Sequence, residues 1–340
     1  MDKTLRLAES GQVPDPLVRE GIRMLLRQRE ASVEADGAHP DFLQSLEEGS
    51  VAIAPPEDHA PHIELTPAFF EQFLGPRMKH SCCLFPNDDE TLAAAEAAML
   101  RLSCARAGIV DGMDVLELGC GWGSLSLWMA EHYPACRITA VSSTDRQRGF
   151  VEERARRHGL TNLTVIAHDM NDFNTDDRFD RCVSVEMFER MRNWRELFTR
   201  TARWLRPDGR LFLHVFCHEK HAYPYVTGGE AHWIADHFLA GGMMPSYDLA
   251  PRMALDFHEE GRWMVNGLHY HHTCRHWLAN MDRNEAEILP ILKTVYGTGD
   301  ALLWWHRWRL FHIACAELFG WRGGTAWFVG HYLFNRRASS

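Results

Sequence analysis

What this chain lacks narrows its roles before any motif is considered. No apolar run approaches the ~18 residues that a bilayer-spanning helix needs, so stable membrane insertion is not expected. The opening Met1-Asp2-Lys3-Thr4-Leu5-Arg6 has no apolar stretch of the kind a signal peptide carries. Basic residues are outnumbered, 36 Lys and Arg against 46 Asp and Glu, for a formal charge of −10. Backbone binding of nucleic acid needs a basic face, so this charge argues against nucleic acid as the main partner. The nine cysteines contain no C-x-x-C pair, only the adjacent Cys82-Cys83. Reduced thiols in a cytoplasm fit that usage better than a disulfide framework does. Internal repeats are absent as well.

What is present is an ordinary globular composition, 46% hydrophobic and 24% charged over 340 residues, enough for one large domain or two. Residues 14 to 48 read as helical, with Val18, Ile22, Leu25 and Leu26 at helical spacing, and Ile53 to His59 read as a linker. A helix over 88–107 ends near Gly108. Strands are then expected at 114–118, 137–142, 163–167, 180–185 and 210–216, with helices at 124–132, 144–158 and 192–205 between them. Alternation at that spacing implies βαβ units and a parallel sheet covered on both faces. Pro207-Asp208-Gly209 predicts a turn before the fifth strand. Beyond 217 the pattern breaks. A loop is expected at 218–229, a short helix at 230–239, a turn at 241–246, a strand at 262–270, helices at 274–296 and 299–319, and a closing strand at 326–334. Three units follow: a helical extension over 1–75, a ligand-binding core over 76–216, and a lid with closing strands over 217–340.

The most informative stretch is Val115-Leu116-Glu117-Leu118-Gly119-Cys120-Gly121-Trp122-Gly123. A short strand carrying an acid runs into three alternate glycines and then a helix. Glycine permits a sharp turn and lets backbone sit against a ligand at the positive end of that helix. The spacing differs from the G-x-G-x-x-G that cradles a dinucleotide pyrophosphate. The E-x-G-x-G-x-G form resembles motif I of class I S-adenosylmethionine (SAM) methyltransferases. In open parallel sheets ligands bind beyond the carboxyl ends of the strands. By position that adds Ser142-Ser143 after the second strand, His168-Asp169-Met170 after the third, and Glu186 to Arg190 after the fourth.

The resemblance sharpens outside that loop. Lys79-His80-Ser81-Cys82-Cys83-Leu84-Phe85, Val141-Ser142-Ser143 with Gln147, and Glu186-Met187-Phe188-Glu189 resemble enzymes of the cyclopropane-fatty-acid-synthase type. Gly241 to Ser246, Trp308-Arg309, Glu317 to Gly320, Trp327 and His331-Tyr332-Leu333-Phe334 are similar to the coclaurine N-methyltransferase branch. The likeness runs from about residue 75 to 335. It implies an α/β Rossmann-like SAM-binding sheet with an N-terminal helical extension and a C-terminal substrate lid. For the cofactor it implies His80 and Ser81 near the methionine end of SAM, and Glu117, Gly119, Cys120, Gly121 and Gly123 as the main cradle. Ser142, Ser143 and Gln147 would lie near the ribose, and Asp169 and Met170 beside the adenine.

The resemblance further implies a small lipophilic amine, cyclic or aromatic, as methyl acceptor, with a homodimer left open. The branch's E-x-F-E-H run binds and deprotonates the amine; here Glu186, Phe188 and Glu189 are kept and Arg190 replaces the histidine. Arginine cannot accept a proton, so Glu189 becomes the expected base and Glu186 the expected anchor for the ammonium. Arg190 beside Glu189 is expected to lower that carboxyl's pKa and weaken it as a base. Of the 12 tryptophans, Trp233, Trp263, Trp277, Trp304, Trp305, Trp308, Trp321 and Trp327 lie beyond residue 216. Tyr223, Tyr225, Trp233, Phe238, Trp304, Trp305 and Trp308 are candidates to line the acceptor pocket, since aromatic faces attract cations. Histidines crowd the same region, including His214, His218, His221 and His269-Tyr270-His271-His272, but no ligand spacing completes a metal site. Two alternatives stay open: methyl transfer to an acyl-chain alkene in a lipid, and a SAM-binding protein without catalysis.

Overall fold

A seven-stranded sheet in the order β3-β2-β1-β4-β5-β9-β8 organises the chain. The coordinates, a computed structural model, describe residues 3–36, 40–53, 65–87, 89–228 and 233–337. The expected linker at 53–59 lies outside the described residues from position 54 onward. The parallel strands are β1 (Asp114–Leu118), β2 (Arg137–Ser142), β3 (Leu163–Ala167), β4 (Phe179–Val185) and β5 (Leu205–His218). Two antiparallel strands close the sheet, β9 (Trp327–Arg336) beside β5 and β8 (Phe257–Val265) at the edge.

Period-two alternation explains how both faces of the sheet are covered. Val115, Ile138, Val183 and Phe212 point to one face, where they pack with Leu100, Cys104, Leu125, Trp128 and Met129. Those partners come from α5 (Leu92–Ala107) and α6 (Ser124–His132). Leu116, Leu118, Cys182, Leu211 and Leu213 point to the other face against Trp194, Leu197, Phe198 and Ala202 of α8 (Trp194–Trp204). Side chains fix the helix starts: Thr91 accepts from the Ala94 amide at 3.2 Å and Asn193 from the Glu196 amide at 2.9 Å. α7 (Asp145–Arg157) is capped in the same way by Thr144.

Several sequence expectations need correcting. Pro207-Asp208-Gly209 lies inside β5, where the register with β4 jumps from Phe179↔Leu205 to Arg181↔Arg210. The turn is absorbed as an irregularity of the strand. The strand expected at 262–270 runs instead over Phe257–Val265, and α11 (Leu268–Arg283) starts where it should have ended. The cause is local: Asn266 Oδ1 accepts from the Leu268 amide at 2.8 Å, and a Cβ on Gly267 would lie 2.2 Å from the Trp327 carbonyl. The expected loop and turn hide a small ribbon, β6 (Tyr223–Pro224) against β7 (Met243–Met244). Between them α9 is described over Trp233–His237. The last two helices are α11 and a long α12 (Glu285–Gly320), broken at Gly297 where φ is 81°.

At the amino end, α1 (Lys3–Glu9) and α2 (Asp15–Asp36) lie against α12, and α4 (Pro67–Glu71) joins them beyond the short α3 (Pro40–Ser45). Phe69, Phe70, Phe73, Trp277, Trp304, Trp305 and Trp308 fuse α4, α11 and α12 into one aromatic cluster. Among the described residues, no helix is long and apolar enough to cross a membrane.

Candidate active site

β1 and β4 are neighbours from which the chain order runs in opposite directions, so their carboxyl ends flank the crevice where open α/β sheets bind ligands. After β1 the backbone turns through left-handed Gly119 and Gly121, with φ of 78° and 52°. A Cβ at Gly119 would strike Met187 at 2.8 Å, so that glycine lets the β4 loop close on the β1 loop. A Cβ at Gly121 would meet nothing within 4 Å, so that backbone faces open space. Gly123 packs against Val151 of α7. Gly119 and Cys120 give their amides to the Val141 carbonyl at 3.0 and 2.9 Å. Glu117 is buried and accepts from the Ser126 hydroxyl, which ties β1 to α6. Burial pushes its carboxyl up to about 7.

The other expected cofactor residues gather at the same sheet edge. Ser142 is buried and donates to the Thr144 carbonyl at 3.0 Å, while exposed Ser143 donates to Gln147 Oε1 at 3.2 Å. Asp169 holds the Asn171 amide at 2.7 Å, and Met170 is buried in the core with Leu118, Val141 and Met187. Ser81 is buried beside Lys79, whose Nζ donates to its hydroxyl. The His80 ring keeps accessible surface, yet Phe70, Phe73 and Trp277 surround it with centroids 5.3, 5.9 and 5.3 Å away. It therefore borders an interior cleft. Burial, with the nearby Arg190 charge, brings its pKa down to about 4, so the ring is neutral near pH 7.

Glu186 follows β4 in a left-handed conformation, φ 49°, an uncommon choice for glutamate. The turn aims its carboxylate at two donors, the Cys82 amide at 2.9 Å and the Tyr270 hydroxyl at 2.6 Å, and places Oε1 3.1 Å from His214 Nε2. Tyr270 is itself stacked on Phe319, centroids 4.3 Å apart. A 3₁₀ turn over Phe188–Arg190 then brings in Glu189. Its Oε1 accepts from the Phe216 amide at 2.7 Å, and its buried Oε2 has no partner among the described residues. Burial, reinforced by the Glu186 charge, holds the Glu189 carboxyl well above the usual carboxylate range. This overturns the expectation that Arg190 would depress it: the arginine does pull downward, but burial and Glu186 outweigh it.

Arg190 has Glu189, Tyr270, Glu186 and Tyr225 as its charged and titratable neighbours. Its side chain keeps accessible surface, which places it on the cleft wall. Among the described residues its guanidinium has no hydrogen bond or ion pair.

The expected aromatic lining divides. Tyr225 neighbours Arg190, and the Tyr223 hydroxyl accepts from Trp327 Nε1 at 2.9 Å. Phe238 and Trp308 meet at 5.0 Å in the aromatic cluster that reaches Phe70, a neighbour of His80. Trp305 is buried in that cluster. Trp304 stacks on Tyr296 at 4.3 Å, and Trp233 donates to Glu9 of α1 at 2.9 Å, so both turn toward the outer helices. The His269–His272 group lies on α11, not on a strand, and its members point into separate contacts: His269 with the Phe85 amide, His271 with the Ala316 carbonyl. Among the described residues no group of three His, Cys, Asp or Glu is arranged to hold a metal ion.

Sequence reasoning missed His214, Tyr270 and the amides of Cys82 and Phe216. For His214 a signal existed: one histidine inside the apolar run Leu211-Phe-Leu-His-Val-Phe-Cys217 of a buried strand. For Tyr270 and the amides nothing in the local pattern marks them, since only the fold brings them to Glu186 and Glu189.

Comparison with known proteins places this geometry. The sequence model of the family described as mycolic acid cyclopropane synthetase matches residues 53–323. The chain is 33% identical to an (S)-coclaurine N-methyltransferase from Thalictrum flavum subsp. glaucum, covering 98% of this chain and 95% of that one. It is 31% identical to an (S)-coclaurine N-methyltransferase from Papaver somniferum, covering 99% and 98%. A crystal structure of coclaurine N-methyltransferase bound to N-methylheliamine and SAH superposes with a TM-score of 0.92 at 32% identity, covering 98% of this chain and 99% of that one. The open backbone at Gly121 and the polar edge over Ser142, Ser143 and Asp169 fit a ligand with an amino-acid end and a nucleoside end. The chain belongs to the mycolic acid cyclopropane synthetase family, in its coclaurine N-methyltransferase-like branch, and is a methyltransferase whose donor is S-adenosylmethionine.

Proposed function

We propose that this enzyme methylates the nitrogen of a small lipophilic amine, cyclic or aromatic, and that Glu186 and Glu189 divide the work. The observation that carries the reading is the unequal treatment of the two carboxyls. The Cys82 amide and the Tyr270 hydroxyl donate to Glu186, with His214 Nε2 3.1 Å away, and these donors favour its ionised form against the burial that raises its pKa, which suits an anion that attracts an ammonium. Burial raises both carboxyls, but among the described residues Glu189 is filled on one oxygen only, which leaves Oε2 open to accept a proton. An ammonium has no lone pair to offer, so its proton must leave before the nitrogen can attack. Glu189 Oε2 receives it in this reading. When bound, SAM supplies an electrophilic methyl on a sulfonium. The residues that hold the donor are His80, Ser81, Glu117, the Gly119–Gly123 loop, Ser142, Ser143, Gln147, Asp169 and Met170. Tyr225, Phe238 and Trp308 wall the acceptor side, and Arg190 contacts a polar part of the acceptor. The likeness to coclaurine N-methyltransferases over nearly the whole chain supports an amine over a lipid. The cytoplasm is the proposed compartment, on the strength of nine cysteines that are all unpaired.

The test is label transfer from methyl-labelled SAM to a panel of amines, phenols and phospholipids. Label on amines alone is the expected result. Label on phospholipid acyl chains overturns the acceptor, and tight SAM binding with no label anywhere overturns catalysis. In parallel, Gly121→Val should weaken SAM binding by more than about tenfold in calorimetry, because a branched side chain would occupy the open space and the left-handed backbone. Unchanged affinity would remove this loop from the donor site.

A further inference from the structure

Behind Glu186 a line of buried side chains leads away from the cleft. Arg106, in the last turn of α5, places its guanidinium 2.8 Å from His331 Nδ1. His331 Nε2 lies 2.9 Å from His214 Nδ1, and His214 Nε2 lies 3.1 Å from Glu186 Oε1. The histidines are cross-strand partners of β5 and β9, fully buried, with ring centroids 4.7 Å apart. Arg106 is half-buried and stacked over Trp263 at 5.0 Å.

Donor chemistry fixes the direction of this line. A guanidinium has hydrogens and no acceptor. His331 Nδ1 must therefore carry a lone pair, and its proton sits on Nε2. That proton points at His214 Nδ1, which must accept, so the proton of His214 sits on Nε2 and is donated to Glu186. Both rings are neutral, since burial holds their pKa values well below the usual histidine range. We propose that Arg106, through His331, locks the tautomer of His214 so that its Nε2–H donates to Glu186 and favours the ionised form of that carboxyl. Arg106 and His331 are positioning residues that act through Glu186 without touching the acceptor. The inference rests on the reading of Glu186 as the anion that attracts the ammonium.

Without the lock, His214 can turn its lone pair toward Glu186 Oε1, and that arrangement favours a protonated carboxyl with no charge for an ammonium. Other groups bear on the same balance. Glu186 also faces Lys79, His80, Glu189 and Arg190, and the two histidines face Lys79 and Arg106. None of these donates to His331 Nδ1 in place of Arg106.

The experiment has a spectroscopic arm and a kinetic arm. In full-length protein with ¹⁵N-labelled histidine, NMR should report both imidazoles as Nε2–H tautomers near pH 7. Arg106→Met should release them to a mixture, raise the amine KM about tenfold with kcat little changed, and lift the acidic limb of the kcat/KM profile, as expected for losing a charge-assisted contact. Arg106→Lys, which also only donates, should restore both readouts. His331→Phe keeps the ring packing and removes the donor to His214, so it should reproduce the Arg106→Met result. An Nδ1–H tautomer on either ring of the wild type, or an unchanged KM and tautomer in both disrupted variants, overturns the proposal. If no amine proves to be an acceptor, the function reading fails while the spectra still decide the tautomer lock.

Discussion

Glu189 keeps one oxygen on the Phe216 amide and, among the described residues, leaves the other without a donor, and its raised pKa has a sign that can be followed in kinetics. A carboxyl held above its usual range is protonated, and useless as a base, below that raised pKa. Activity should therefore fall as pH drops through it. Glu189→Gln should cost about 10²–10⁴ in kcat/KM where the amine is still an ammonium, the usual worth of a positioned base. The deficit should shrink as pH rises toward the amine's own pKa, because a free amine needs no base. A ratio that stays constant across the whole pH range would reject the assignment. Arg190 poses a separate question. Among the described residues its guanidinium has no partner and keeps accessible surface, so it is free to make a charge-assisted bond to an acidic group on the acceptor. Arg190→His should shift the kcat/KM preference by about tenfold away from amines bearing a carboxylate and toward neutral tetrahydroisoquinolines. Competition assays with matched amine pairs measure that preference directly. An unmoved preference means that Arg190 does not read the acceptor.

At the scale of elements, the amino-terminal helices are fastened to the carboxyl-terminal third through acid–base contacts. Glu9 of α1 is buried and accepts from Arg307 Nε at 2.8 Å on α12 and from Trp233 Nε1 at 2.9 Å on α9. Arg19 and Arg23 of α2 both reach Glu317 at 2.7 Å, and Glu30 pairs with Arg322 at 2.9 Å. Helical spacing made α2 legible in the sequence, but its partners lie nearly three hundred positions away and leave no local trace. Because Glu9 joins α9 to α12, Glu9→Ala should strand Arg307 beside an apolar cluster. The expected cost is about 3 kcal/mol in urea denaturation, with a higher amine KM and little change in SAM affinity. Wild-type stability together with a wild-type KM would show that α1 does not hold α9 in place.

For the whole molecule, the first parallel strands were legible because they are short, largely apolar runs separated by helical stretches. β1, β2 and β3 begin and end where the pattern says they should. The region after β5 was less legible, since β6 and β7 are two residues each and α11 starts at an asparagine-capped corner. In the site, Glu186 and Glu189 could be found because they follow a strand, whereas the donors around them come from β5, α11 and the segment before α5. The same burial that builds the site sets the acid response of the fold. His80 and His312 have pKa values brought down to about 4 and about 3, chiefly by burial, while their unfolded values lie near 6.5. Below pH 6.5 the unfolded chain binds protons that the folded chain refuses, so these groups remove stability as pH falls. Buried Glu96, Glu117, Glu186 and Glu189 act oppositely: their raised values mean that the folded chain gains protons first, and this stabilises until the unfolded carboxyls are protonated near 4.5. The two sets oppose each other between pH 6.5 and 4.5; below that the histidines still titrate differently, and the salt-bridged carboxyls Asp114, Glu131 and Glu260, held below the usual range, add to the loss. Tm should thus change little over the upper window and fall steeply beneath it. His312 has no partner for either ring nitrogen among the described residues and sits 5.1 Å from the Phe73 ring and 5.8 Å from that of Trp277. Each pH unit below 6.5 costs about 1.4 kcal/mol at this one residue, so His312→Phe should hold its Tm further into acid than the wild type does. Circular dichroism melts of the two proteins at pH 7, 5 and 4 decide it: parallel Tm curves would mean that His312 takes no part in the acid transition.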